Sequence, residues 1–197
     1  SAGLGDSLAK WPELGIGEAE GNELYHTGIQ VAKYIFDTCL EVGERLSGDV
    51  SQEELEENLR IATYIAIPLT GLTSELTSGV MGKSDLALVA HGVDHALLVI
   101  SKKTHSYLHG ERVTFGLIPH LLLNHATDEI IRDVMRFIYN LGLPLELSDL
   151  GLDESIVPEL SKAVSEAPGI PDSGIAVEQI ERAFYDYMDL VKSFKNS

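Results

Sequence analysis

A chain of 197 residues is long enough for one domain with a sizeable core. Hydrophobic residues make up 44% and charged residues 23%, the balance of a globular protein and not of a disordered one. The formal net charge of −17 sets the surface against phosphate backbones and anionic headgroups, which argues against nucleic acid and membranes as partners.

Taken in chain order, the pattern is helical nearly throughout. Ser1-Ala2-Gly3-Leu4-Gly5-Asp6 enters a helix-like pattern almost at once. From Glu23 to Leu46, Leu24, Val31, Ile35, Cys39, Val42 and Leu46 recur at helical intervals, and Gly48 stops that helix. Cys39 is the one cysteine, so no internal disulfide can form; on an apolar helix face it reads as a small buried hydrophobe. Ser51-Gln52-Glu53-Glu54 is a capping-box signature. The helix behind it carries Leu55, Leu59, Ala62, Ile65 and Leu69 on one face, and Pro68 is expected to kink it. The stretch 71–82 reads as a broken helix or a loop.

Ser84 or Asp85 can cap an apolar helix running to about Ser101. A loop around Lys102–Thr104 leads to a second apolar helix from about Gly110 to Asn124, with Pro119 inside it. Thr127 caps the next, with Ile130, Ile131, Val134, Phe137 and Ile138 facing inward and Gly142 and Pro144 ending it. Two shorter helices follow near 153–167 and 175–194. No stretch alternates at period two for long enough to make a strand. The reading is a single all-α domain, a multi-helix bundle of seven to nine helices. No apolar run approaches the roughly 18 residues of a membrane span, no signal peptide is visible, and a cytoplasmic protein fits best.

Five of the seven histidines fall in one window: His91, His95, His105, His109 and His120. His91 and His95 are four apart and share a helix face, and His105 and His109 repeat the spacing. One histidine from each pair could converge where two helices cross. Two imidazoles and a carboxylate would give a zinc ion three ligands and leave a position open for substrate. Spacing does not choose the carboxylate in so acidic a chain. The competing reading makes these histidines core residues, each satisfied by a hydrogen bond. No Gly-x-Ser-x-Gly elbow supports a serine nucleophile, and Gly3-Leu4-Gly5 lacks the third glycine and the preceding strand of a dinucleotide loop.

Three segments resemble a known family. Ala2-Gly3-Leu4-Gly5-Asp6-Ser7-Leu8-Ala9-Lys10-Trp11 is similar to the Gly-Ile-Gly-Asp-Ala/Thr-Leu-Ala-Lys-Trp segment of the glycerol dehydrogenase-like branch of the metal-dependent (iron-containing, group III) alcohol dehydrogenases. Ala90-His91-Gly92-Val93-Asp94-His95 resembles that branch's Ala-His-Ala-(Ile/Val)-His-Asn-Gly, and His109-Gly110-Glu111-Arg112-Val113-Thr114-Phe115-Gly116 its His-Gly-Glu-Lys-Val-Ala-Phe-Gly. The segments come in the family's order, and the resemblance covers essentially the whole chain.

The resemblance implies an all-α fold of the dehydroquinate synthase-like C-terminal domain type. Residues 1–197 would form a single helical metal- and substrate-binding domain, with the N-terminal nucleotide-binding α/β domain absent from this chain. It implies Asp6, His91 and His109 as metal ligands. Iron-type members add a histidine four residues after the aspartate, where this chain has Lys10, so the set is the zinc type, with Fe2+ as the alternative. The implied activity is an NAD- or NADP-dependent oxidoreductase acting on the hydroxyl of a small polyol, glycerol by default, or a 2-hydroxy acid. The nicotinamide nucleotide would be bound mainly by the other domain, so that this chain alone is inactive. His95, one turn beyond His91, would relay the proton as the catalytic residue, although the branch places its second histidine where this chain has Asp94. The Asn-Gly that follows there is Ala96-Leu97 here, and the 71–84 region aligns poorly. Relatives imply a homo-oligomer. The alternatives are a non-catalytic helical binding or regulatory domain derived from such an enzyme, or a dehydroquinate synthase or glycerol-1-phosphate dehydrogenase relative. Phosphorylated substrates would call for more cations than Lys83, Lys102, Lys103 and Arg112 near the motifs.

Overall fold

The computed structural model describes residues 1–15, 22–77 and 88–196. They form α1 (Ala2–Gly15), α2 (Glu23–Leu46), α3 (Gln52–Tyr64), α4 (Thr70–Thr77), α5 (Val89–Ile100), α6 (His109–Leu123), α7 (Asp128–Asn140), α8 (Val157–Ser165) and α9 (Val177–Lys195). No strand occurs among the described residues.

Local chemistry explains most boundaries. The Asn22 side chain accepts from the Tyr25 N–H and starts α2 where the periodicity begins. The inner stripe of α2 sits one residue later than expected at its start. Leu24 is exposed, and Tyr25 is buried with its hydroxyl donating to the Leu14 carbonyl at 3.0 Å. Ser51 and Glu54 form the expected capping box on α3. The inward face of α3 differs from the expected one: Asn58 is buried and Leu59 is half exposed.

Helical structure continues through Pro68. Residues Ile65–Leu69 widen into a single π turn in which the Thr70 N–H reaches the Ile65 carbonyl, and α4 continues from it. The wider turn absorbs the proline ring and its missing donor without a break. The Thr70 hydroxyl also donates to Ile65 O at 2.8 Å. Helix α4 reaches Thr77; the remainder of the 71–82 stretch, and the expected caps Ser84 and Asp85, lie outside the described residues.

Helix α6 is the centre of the bundle. It is buried from Gly110 to Leu121 except for Glu111, and it packs against α1, α5, α7 and α9. A helix that is apolar on nearly every face needs neighbours on nearly every face. Its contact with α1 is backbone-close. A Cβ at Gly110 would lie 1.9 Å from the Ala2 carbonyl oxygen, and one at Gly5 would lie 2.0 Å from Thr114 Oγ1. Gly3-Leu4-Gly5, set aside as a nucleotide loop, thus contributes to close helix packing, which brings Asp6 over the start of α6.

The expected loop at 102–104 is a 3-10 turn, Lys102–Ser106, so α5 and α6 form a tight antiparallel pair. Thr127 caps α7 by accepting from the Ile130 N–H, and Gly142 closes it at φ +62°. Midway along α6, Phe115 meets Phe184 and Tyr187 of α9, and the Tyr187 hydroxyl donates to Leu145 O at 2.6 Å. Cys39 is fully buried and burial pushes its thiol up, as a core residue requires. No described helix is long and apolar enough to cross a membrane.

Candidate metal centre

Three elements far apart in sequence meet at one point. Asp6 lies in the second turn of α1, His91 in the first turn of α5, and His109 opens α6. The Nε2 atoms of His91 and His109 lie 3.4 and 3.6 Å from Asp6 Oδ1, and their ring centroids are 5.4 Å apart. One potential ligand atom from each residue falls within 4.8 Å of the others. Asp6 Oδ1 is buried and completes no hydrogen bond. A buried, unsatisfied carboxylate oxygen costs free energy unless something pairs with it. Two imidazole nitrogens and one carboxylate oxygen facing a common point form the hard-to-borderline donor set that suits zinc or iron(II).

The far side of each imidazole is held by a second carboxylate. His91 Nδ1 lies 2.6 Å from Glu13 Oε2, and the His91 backbone N–H donates to Glu13 Oε1 at 3.1 Å. His109 Nδ1 lies 3.0 Å from Asp94 Oδ2. Asp94 Oδ1 in turn accepts from Arg112 Nε at 2.7 Å, and Arg112 also donates to the Tyr107 and Thr104 carbonyls. A carboxylate on Nδ1 fixes the tautomer that leaves Nε2 as a lone-pair donor. Burial opposes ionisation of Glu13, but the charge of His91 overrides it and lowers the pKa. Burial likewise opposes ionisation of Asp6, and the His91 imidazole with the charge of Lys10 holds the carboxyl at about 2. Burial opposes the charging of His91; the Glu13 carboxylate, with Asp6 behind it, raises it to about 9.

A cavity of about 330 Å³ opens beside His91. Leu14, Leu88 and Pro168 supply apolar wall, Thr77 hydroxyl-bearing wall, and Lys10 and His95 charge or proton-exchanging capacity. His95 is exposed on the face of α5 that it shares with His91.

The remaining histidines do not join the group. His105 sits on the 3-10 turn with Nε2 on the Leu98 carbonyl at 2.8 Å, so the second i, i+4 pair does not share a helix. His120 is buried in α6 against the Pro12 carbonyl at 3.0 Å, and burial holds its pKa down. The core reading thus fits His120, and the convergence of one histidine from each pair fits His91 and His109. Of the cations named from sequence, Arg112 is taken by Asp94, Lys103 by the Gly151 carbonyl at 3.0 Å, and Lys83 lies outside the described residues.

Sequence reading missed Glu13, and it read Asp94 only as a departure from a motif. Glu13 follows Asp6 by seven residues, two helical turns on the same face. Asp94 stands three residues after His91. Those spacings were the available signals.

No family model matches the chain. A glycerol dehydrogenase of Pseudomonas putida is 31% identical over 198 residues, 91% of this chain and 50% of that protein. Hydroxycarboxylate dehydrogenase A of Escherichia coli strain K12 is 27% identical over 83% of this chain and 44% of its own length. A crystal structure of a probable glycerol dehydrogenase from Sinorhizobium meliloti superposes with a TM-score of 0.74 at 24% identity, covering 98% of this chain and 55% of that one, so the fold is shared. The all-helical architecture matches the C-terminal part of such structures. The chain spans about half the length of the relatives it matches, and over that half it belongs to the glycerol dehydrogenase family, within the iron-containing alcohol dehydrogenase superfamily.

Proposed function

We propose that Asp6, His91 and His109 hold one divalent metal, zinc in first place and iron(II) as the alternative. The chain is then the metal- and substrate-binding half of an NAD- or NADP-linked dehydrogenase acting on the hydroxyl of a small polyol or 2-hydroxy acid. The observation that carries this is the buried Asp6 Oδ1, faced by two Nε2 atoms and completing no hydrogen bond. When bound, such a metal supplies Lewis-acid polarisation that lowers the pKa of a substrate hydroxyl.

This chain's own residues do the rest. Glu13 and Asp94 hold the two imidazoles in the donor tautomer. Leu14, Leu88 and Pro168 would give the carbon skeleton of a substrate an apolar wall beside His91. Oxidation of an alcohol removes a hydride from the carbinol carbon and a proton from its hydroxyl. His95, on the cavity wall and open to solvent, takes that proton on an imidazole nitrogen and passes it to water. The nicotinamide that accepts the hydride would be held chiefly by a nucleotide-binding domain outside these residues.

Metal content tests the proposal directly. The purified chain, supplied with zinc at neutral pH, is expected to retain about one zinc per molecule by elemental analysis. The Asp6→Ala, His91→Ala, His109→Ala triple variant is expected to retain none. A wild-type chain without metal would sink the reading.

Glu13→Gln probes the support of His91. The carboxylate accepts both from the ring and from the backbone N–H. An amide offers one acceptor and turns its NH2 on the other donor. The zinc dissociation constant, measured against a competing chelator, is expected to rise roughly 10- to 100-fold. An unchanged constant would show that Glu13 plays no part in holding the ligand.

A further inference from the structure

Glu13 grips His91 with both carboxylate oxygens, and it does so from the last turn of α1, which ends at Gly15. The carbonyls of a helix's last four residues have no donor within the helix, so a final turn frays unless something else holds it. Two side chains from other helices hold this one. The Tyr25 hydroxyl of α2 donates to Leu14 O at 3.0 Å, and His120 Nε2 of α6 lies 3.0 Å from Pro12 O. The two attachment points are the neighbours of Glu13 on either side. A carbonyl oxygen accepts and cannot donate, so the contact with Pro12 places the His120 proton on Nε2. Asn124 Nδ2, 3.4 Å from the same nitrogen, is itself a donor and is turned to the His120 carbonyl at 2.8 Å. Nδ1 of His120 then carries the lone pair, buried and without a partner. An unmet acceptor in a core costs free energy that an apolar side chain of similar size avoids. What the imidazole gives in return is its bond to α1.

From this we infer that His120 is a positioning residue of the metal centre, acting with Tyr25: their two bonds fix the last turn of α1, the fixed turn holds the Glu13 carboxylate, and the carboxylate holds His91. The inference rests on the metal reading above. A carboxylate on Nδ1 orients a metal-binding imidazole only as well as the carboxylate is itself held. Glu13 reaches His91 across 78 residues of chain, and His120 reaches Pro12 across 108, so the bond that steadies the support is as non-local as the support itself. A last turn of α1 free to fray would let Glu13 swing and loosen the ring it grips, with most of the bundle unchanged. His120 and Tyr25 lie outside the three segments that carry the resemblance, so this support is read from the contacts of this chain alone.

The test is zinc affinity by chelator competition on the 197-residue chain, read beside thermal unfolding and the NMR resonance of the His91 ring N–H. His120→Phe fills the space and removes the donor. It is expected to bind zinc about tenfold more weakly than wild type, and its His91 ring N–H is expected to exchange faster with water. His120→Gln returns a donor to Pro12 O and is expected to keep zinc affinity within about threefold of wild type. Phe184→Leu shows what a structural effect alone does: it opens space against Phe115 on the α9 side, and is expected to lower the melting temperature with zinc affinity unchanged. Should His120→Phe fail to fold by circular dichroism, Tyr25→Phe, which loses a single hydroxyl, puts the same question at Leu14 O with the same expected loss. Wild-type zinc affinity in these variants, no recovery in His120→Gln, or an equal loss in Phe184→Leu overturns the inference and leaves the metal site standing. Absence of zinc from the wild-type chain overturns the metal reading. The ring N–H of His91 in the metal-free chain then decides the positioning role, which fails if that proton exchanges alike in wild type and His120→Phe.

Discussion

Gly110→Ala is expected to destabilise the protein by roughly 3 kcal/mol or more, at the upper end for an overpacked contact, because the new methyl meets backbone and not a side chain that can turn away. Its Cβ would lie 1.9 Å from the Ala2 carbonyl oxygen and 3.3 Å from the Asp6 nitrogen. Relief requires α1 to move off α6, and that movement carries Asp6 away from His109. Two readouts should therefore fall together. Thermal unfolding followed by circular dichroism is expected roughly 5–10 °C lower, and zinc affinity should drop with it. Gly71→Ala is the control: nothing lies within 4 Å of its Cβ position in exposed α4, and alanine there should be neutral or slightly stabilising. A Gly110→Ala protein with an unchanged melting temperature would mean that α1 does not dock on α6 as described.

Arg112→Met is expected to cost about 3–5 kcal/mol, the range for removing one partner of a buried ion pair. The guanidinium is buried, and it satisfies Asp94 together with two backbone carbonyls at the α5–α6 turn. Methionine fills much of the volume but leaves the Asp94 carboxylate facing only the His109 ring among the described side chains of this cluster, and leaves the Tyr107 and Thr104 carbonyls without that donor. The midpoint of urea unfolding should fall at an unchanged slope. Adding Asp94→Leu should recover part of the loss, since removing both charges is far less costly than removing one. The double variant should still bind zinc poorly, because His109 has lost the carboxylate that orients it. A single variant within 1 kcal/mol of wild type, on the scale of an exposed pair, would show that the Asp94–Arg112 contact is solvated.

The helices were legible in the sequence because their signals are local. The Ser51–Glu54 box, the Thr127 cap and the periodicity of α2 and α7 each lie within a turn or two of the boundary they set. Faces were less legible. Leu24 and Leu59 fit an apolar stripe, yet Tyr25 and Asn58 take the inner positions, because which flank is buried depends on where α1 and α2 lie. The π turn at Pro68 also turned on context, since a proline does not itself specify how its missing donor is accommodated, and the Thr70 hydroxyl supports the wider turn. At the site, the resemblance pointed to Asp6, His91 and His109, and the fold brings them within reach of one another. Spacing alone could not, since Asp6 is one acid among 31. Glu13 was hidden for the same reason: a carboxylate that will face a histidine 78 positions later looks no different from one that faces water.

The centre is also built from contacts that close chain loops of very different length. The contact between Asp94 and Arg112 spans 18 residues and closes within the α5–α6 pair, whereas Glu13 must find His91 across 78. Closing the longer loop costs more chain entropy, and contacts of long sequence separation tend to form late. The α5–α6 hairpin, carrying both imidazoles, would then assemble first as an incomplete two-nitrogen clamp. The docking of α1 brings the carboxylate that completes the set. Acquisition of tight metal binding during refolding would thus report the last step of assembly, and a metal added early could wait on the hairpin for the first helix to arrive.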